Sequence, residues 1–178
     1  MVTDTVTIGA AVVDETIPAA NANLQTVVNL PPVRCDEWEV KDDRTVAEWG
    51  GNEAYPDDDR VAVTVFGAPG AVREQYPEWD GEDPLPLTRI AERDGAGYYA
   101  WPVSRLERVE IDTWPIRQAF ADRDVDGLRE VEDGLVVEWL GDEFLVRPDG
   151  TVSNADGVIA DRLEDVAQEA AASGGGGA

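Results

Sequence analysis

The chain has 178 residues, 43% of them hydrophobic, with 38 Asp and Glu against 14 Lys and Arg, a formal charge of −24. That length buries a core without help from disulfides or metals, and the lone cysteine, Cys35, excludes an internal disulfide and any multi-cysteine metal site. There is no histidine, which removes Ser-His-Asp and Cys-His catalysis and the common zinc sites together.

Residues 2–13, VTDTVTIGAAVV, carry enough Thr and Val to predict a first strand. Pro18 to Leu30 is ambiguous: Leu24, Val27 and Val28 have helical spacing, the interspersed asparagines weaken a helix, and Pro31-Pro32 ends the run, so a short helix and a second strand both stand. From Val33 to Arg60 the chain is acidic, with Trp38 and Val40 expected to face inward from a strand. Val61 to Phe66, VAVTVF, is a strand whose near-continuous hydrophobicity predicts burial on both faces. Ala71 to Tyr76 reads as one or two helical turns stopped by Pro77, and Glu78 to Pro86 reads as loop. Leu87 to Pro102 reads as a hairpin with Asp94-Gly95-Ala96-Gly97 at its tip, followed by a strand or short helix over Val103 to Ile111.

In the last third, Asp112-Thr113 before Trp114-Pro115 predicts a capped helix with Ile116, Ala119 and Phe120 on one face. Turn signatures at Asp133-Gly134, Gly141-Asp142 and Pro148-Asp149-Gly150 then separate short β-rich runs, which predicts an antiparallel meander. Leu135, Val137 and Trp139 would share a face, as would Phe144 and Val146. A final helix, capped by Asn154 or Asp156, would carry the stripe Ile159, Leu163, Val166 and Ala170. The expected class is α+β: a β-rich region 1–111, then a helix, three-stranded meander and C-terminal helix over 112–172, and a flexible tail 173–178.

The acid excess is shared equally between residues 1–89 and 90–178, and Lys41 is the only lysine, every other base being arginine. Even acidity without lysine resembles, in composition and not by family, proteins adapted to molar salt. Salt makes such a surface tolerable because the screening length falls to about 3 Å at 1 M. The N-terminus lacks the basic region of a signal peptide and no apolar run reaches the ~20 residues of a membrane helix. The expected location is therefore the cytoplasm of a high-salt organism, without membrane contact.

Three patterns carry candidate chemistry. Glu39-Val40-Lys41 matches the Glu-X-Lys element of metal-dependent nucleases, with Asp14 as an upstream ligand; the alternative is a solvent-facing pair on a strand. Asp122, Asp124 and Asp126 before Gly127, with Asp133 at the twelfth position, resemble the start of a calcium loop that would take calcium or magnesium. Within Leu87 to Val109, LTRIAERDG resembles the first helix and turn of helix-turn-helix domains and VSRLERV a recognition helix, which implies DNA contacts by Arg89, Arg93, Arg105 and Arg108. Pro102 interrupts that second helix, and a charge of −24 disfavours nucleic acid. Trp49 and Trp79, in polar loops, are candidate interface residues. The expectation is a non-catalytic interaction or structural protein that self-associates or binds a protein partner, without a cofactor. A nuclease-like hydrolase and a DNA-binding regulator are the alternatives.

Overall fold

The computed structural model describes residues 6–91, 97–153 and 158–174, with the backbone alone at 158–160 and 173–174. It is an α+β chain with antiparallel sheets, divided into two compact units. The first comprises Met1–Ile17 and Asn23–Val109, and the second comprises Pro18–Ala22 and Glu110–Ala178.

The first unit contains β1 (Ala11–Asp14), β2 (Gln25–Asn29), the small hairpin β3 (Glu39–Lys41) and β4 (Arg44–Thr45), β5 (Val61–Phe66), helices α1 (Pro69–Gln75) and α2 (Leu87–Ala91), β6 (Tyr99–Pro102) and β7 (Leu106–Arg108). Five strands form one sheet in the order β6-β5-β2-β1-β7. Within this sheet β5 lies between β6 and β2, and its alternation explains its apolar run. Val61, Val63 and Val65 pack on one side with Val28, Cys35, Val46, Ile90 and Trp79, while Ala62 packs on the other with Val12, Val27 and Leu106.

The first strand is shorter than its composition predicts. Ile8 and Gly9 form a turn, with Gly9 at φ +82°, and a Cβ there would lie 2.1 Å from the Gly81 carbonyl oxygen. Residues 18–30 hold a 3-10 turn over Ala19–Asn21 and the strand β2, and it is the strand that takes Val27 and Val28, whose spacing suggests a helix. Asp42 and Asp43 take φ of 54° and 60°, the left-handed pair that a two-residue hairpin needs. That hairpin turns Val40 outward, 43% exposed, against expectation, whereas Trp38 packs partly against the core.

The predicted hairpin over 87–102 does not form. Its first arm is α2, because Leu87 and Ile90, three apart, turn one helical face onto the core, and its second arm, β6, pairs with β5 instead. Asp94, Gly95 and Ala96 lie outside the described residues. Residues 103–111 again realise both alternatives, a 3-10 turn over Val103–Arg105 and then β7 against β1.

The second unit contains α3 (Trp114–Ala121), the strands β8 (Gly127–Val131), β9 (Gly134–Trp139), β10 (Asp142–Val146) and β11 (Val152–Ser153), and α4 (Val158–Gly174). The meander is present with a fourth short strand, in the order β11-β10-β9-β8. Leu135, Val137, Phe144 and Val146 form its buried face, with Ile116 and Phe120 of α3 and Leu163, Ala167 and Ala170 of α4. Thr113 does not cap α3: its backbone is already helical, and its hydroxyl donates to Glu130 Oε2 at 2.9 Å. The turn after β10 needs Gly150, at φ +85°, since a Cβ there would lie 2.8 Å from the Gln168 backbone of α4. Helix α4 continues to Gly174, two residues into the predicted tail. The predicted caps Asn154 and Asp156, the side chain of Ile159 and residues 175–178 lie outside what is described. No helix among the described residues is long and apolar enough to cross a membrane.

Candidate interaction site

The site grows from β6, an edge strand of sequence YAWP. Its register on β5, Thr64 opposite Tyr99 and Ala62 opposite Trp101, places Tyr99 and Trp101 on the side of the sheet shared by Thr64 and Phe66. Phe66 and Tyr99 have ring centroids 4.7 Å apart in a tilted pair, and Tyr99 stacks on Trp101 at 6.1 Å. The Trp101 indole N–H donates to Gln25 Oε1 at 3.1 Å and to Thr64 Oγ1 at 3.0 Å, which fixes the ring's orientation.

Beside Trp101 lies a buried ion pair. The Arg105 guanidinium is 4.7 Å from the Trp101 centroid and donates through Nε and Nη2 to Asp14 Oδ2 at 3.1 and 2.6 Å, and through Nη1 to Asn52 Oδ1 at 2.7 Å. The other Asp14 oxygen accepts from the Thr16 amide and hydroxyl at 3.0 and 2.7 Å. Burial pushes the Asp14 carboxyl up, but the bonds from Arg105 and Thr16 outweigh it and hold the group below its ordinary value. Gly51, at φ +91°, leaves room for the guanidinium, since a Cβ there would lie 3.1 Å from Nη1.

The hairpin β3–β4 and the loop bearing Trp49 close a cleft of about 330 Å³ against β6. Its aromatic lining comes from Trp38, Trp49, Tyr98, Tyr99 and Trp101, with Glu39 and Val40 from the hairpin. Trp49, Tyr98 and Tyr99 are each more than a third exposed, as is neighbouring Phe66. Glu39 is exposed, and although its backbone pairs with Thr45 of β4, its carboxylate has no hydrogen bond or ion pair to a described residue. In the second unit a groove of about 660 Å³ between α3 and α4 is lined by Gln118, Asp122, Arg123 and Glu169, and none of its described lining residues is aromatic.

Of the two candidate interface tryptophans, Trp49 lies in the cleft. Trp79 does not: it is buried at 6% exposure with its indole N–H on the Asp83 carbonyl at 2.6 Å, and it serves as a core plug. The nuclease constellation is not assembled, because Asp14 is buried and engaged by Arg105 and Thr16 while Glu39 and Lys41 stand exposed on the hairpin. Nor do the four aspartates of the proposed calcium loop converge. Asp126 accepts from the Gly141 amide at 3.3 Å, and Gly127 opens β8, which carries Asp133 to its far end, about 17 Å along a five-residue strand, from Asp122, Asp124 and Asp126. Among the described residues no three potential metal ligands come together.

The helix-turn-helix resemblance also fails in geometry, since a 3-10 turn over Val103–Arg105 and strand β7 occupy the place of the recognition helix. Arg105 is buried in its ion pair, Arg89 and Arg108 are exposed, and Arg93 lies outside the described residues. Cys35 is fully buried, and burial together with Asp59, Asp36 and Asp57 pushes its thiol up to about 12, so it stays protonated and inert as a nucleophile. Residues 98–101, YYAW, were the local signal for the cleft: three aromatics at the edge-strand end of a run closed by Pro102. No family model matches the chain, and no curated protein and no solved structure is significantly similar to it.

Proposed function

We propose that the chain is a non-catalytic interaction protein, adapted to high salt, that engages a protein partner or a second copy of itself through the aromatic cleft beside β6. One observation carries this reading: large, water-exposed aromatic side chains are gathered around a single cleft on an edge strand. Aromatic residues supply much of the energy at interface centres. High salt favours the same kind of contact. With a screening length of about 3 Å at 1 M, long-range attraction is lost and contact-range apolar and ring interactions must carry recognition. Of the two groups that would otherwise suggest chemistry, Asp14 has both oxygens engaged by Arg105 and Thr16, and Cys35 is fully buried.

The test is affinity capture from the native host in molar salt, with the wild-type chain and the Trp49→Ala/Tyr99→Ala variant as matched baits, alongside light scattering for self-association. The wild type should retain a defined partner or form an oligomer, and the variant should weaken that association by about 30-fold or more, the effect of losing at least 2 kcal/mol of interface energy. A wild-type chain that is strictly monomeric and captures nothing contradicts the proposal, as does a variant that keeps the same partner.

A further inference from the structure

We infer that the cleft is the seat for an arginine side chain presented by a protein partner, an inference that rests on the interaction reading above and adds the group recognised. Three observations converge on it. The lining is aromatic, with side chains from Trp38, Trp49, Tyr98, Tyr99 and Trp101, and an aromatic ring attracts a cation placed over its face. At the rim stands a carboxylate, Glu39, without a partner among the described residues, on a chain of charge −24, so the occupant's complementary sign is positive. The third is a precedent within the fold: the chain's own Arg105 already places its guanidinium 4.7 Å from the Trp101 centroid.

Salt decides between cations. In molar potassium or sodium a compact, strongly hydrated ammonium has little advantage over the bulk ions, whereas the planar and weakly hydrated guanidinium stacks on aromatic faces at contact range. A lysine would therefore be a poor substitute in the same seat.

The full chain, with labelled indole nitrogens, is titrated in molar KCl with N-acetyl-arginine methylamide, with its neutral citrulline counterpart, and with N-acetyl-lysine methylamide. The arginine probe should shift the indole resonances of Trp38, Trp49 and Trp101 saturably, and the other two probes should bind about fivefold more weakly or worse. Glu39→Gln, an exposed hairpin substitution, should weaken the arginine probe about twofold and leave citrulline unchanged. Equal affinity for arginine and citrulline, or for arginine and lysine, overturns the inference while leaving the cleft as an interaction site. Absence of any saturable shift also overturns it, and the capture experiment then judges the interaction reading separately.

Discussion

Replacing Asp14 by asparagine should destabilise the first unit by about 3–5 kcal/mol, because the substitution keeps the shape of the side chain and strands the Arg105 guanidinium, 9% exposed, without its counter-charge. The measurement is urea unfolding in molar salt, followed by tryptophan fluorescence. The paired replacement Asp14→Leu/Arg105→Met should be less harmful than Asp14→Asn, since removing both charges leaves no ion buried alone. The pH dependence has a definite sign. The folded-state value of Asp14 is depressed, so the pair's contribution is present above the unfolded value, about 3.9, and is lost as pH falls through the lower folded value. The gap between wild type and Asp14→Asn is therefore full at neutral pH and closes below about pH 4. A gap that stays constant down to strongly acidic pH would show that the ion pair contributes nothing to folding. Comparing two chains with the same remaining carboxylates cancels the relief of self-repulsion that acid brings to a chain of this charge.

Phe120→Ala should cost the second unit about 3–5 kcal/mol, the range for emptying a fully buried aromatic site. Phe120 shares one core with Leu135, Val137 and Phe144 of the meander and Leu163 of α4, so the void opens where both helices and the sheet meet and no single element can collapse into it. Chemical denaturation read by far-UV circular dichroism would report the loss. Leu140→Ala serves as the contrast: Leu140 is 69% exposed at the β9–β10 turn, and its truncation should change stability by less than about 0.5 kcal/mol. Equal effects at the two positions would contradict the packing described for this unit.

The meander, β5 and α3 were legible because local signals agreed there: turn glycines, two-residue alternation, and an apolar helical face all pointed to one structure. The segment 87–102 was not, since Asp94-Gly95 is a strong local turn signal, whereas the burial of Ile90 that makes α2 a helix depends on β5 and on Cys35, Val46 and Trp79 from elsewhere in the unit. Trp79 misled for a related reason. Its loop is polar in composition, yet the backbone carbonyl of Asp83 satisfies its indole and lets the ring turn inward. The candidate site was legible only at Trp49. Its walls come from residues 38–49 and 98–101, and the ion pair beside it joins Asp14 to Arg105 across 91 positions, separations at which no local pattern operates. Glu39 and Asp14 were noticed for metal chemistry, but tertiary structure puts one at the rim of an aromatic cleft and the other under an arginine.

The central claim, that the cleft beside β6 is where this protein meets its partner, is tested most directly by placing a photo-reactive benzoylphenylalanine at Val40, on the cleft's rim, and at Leu140, a still more exposed position on the second unit. In molar salt the Val40 probe should crosslink the partner or a second copy, the Leu140 probe should not, and the Val40 crosslink should vanish in the Trp49→Ala/Tyr99→Ala background. Equal crosslinking from both positions, or a Val40 crosslink that survives loss of the aromatic walls, would contradict the claim.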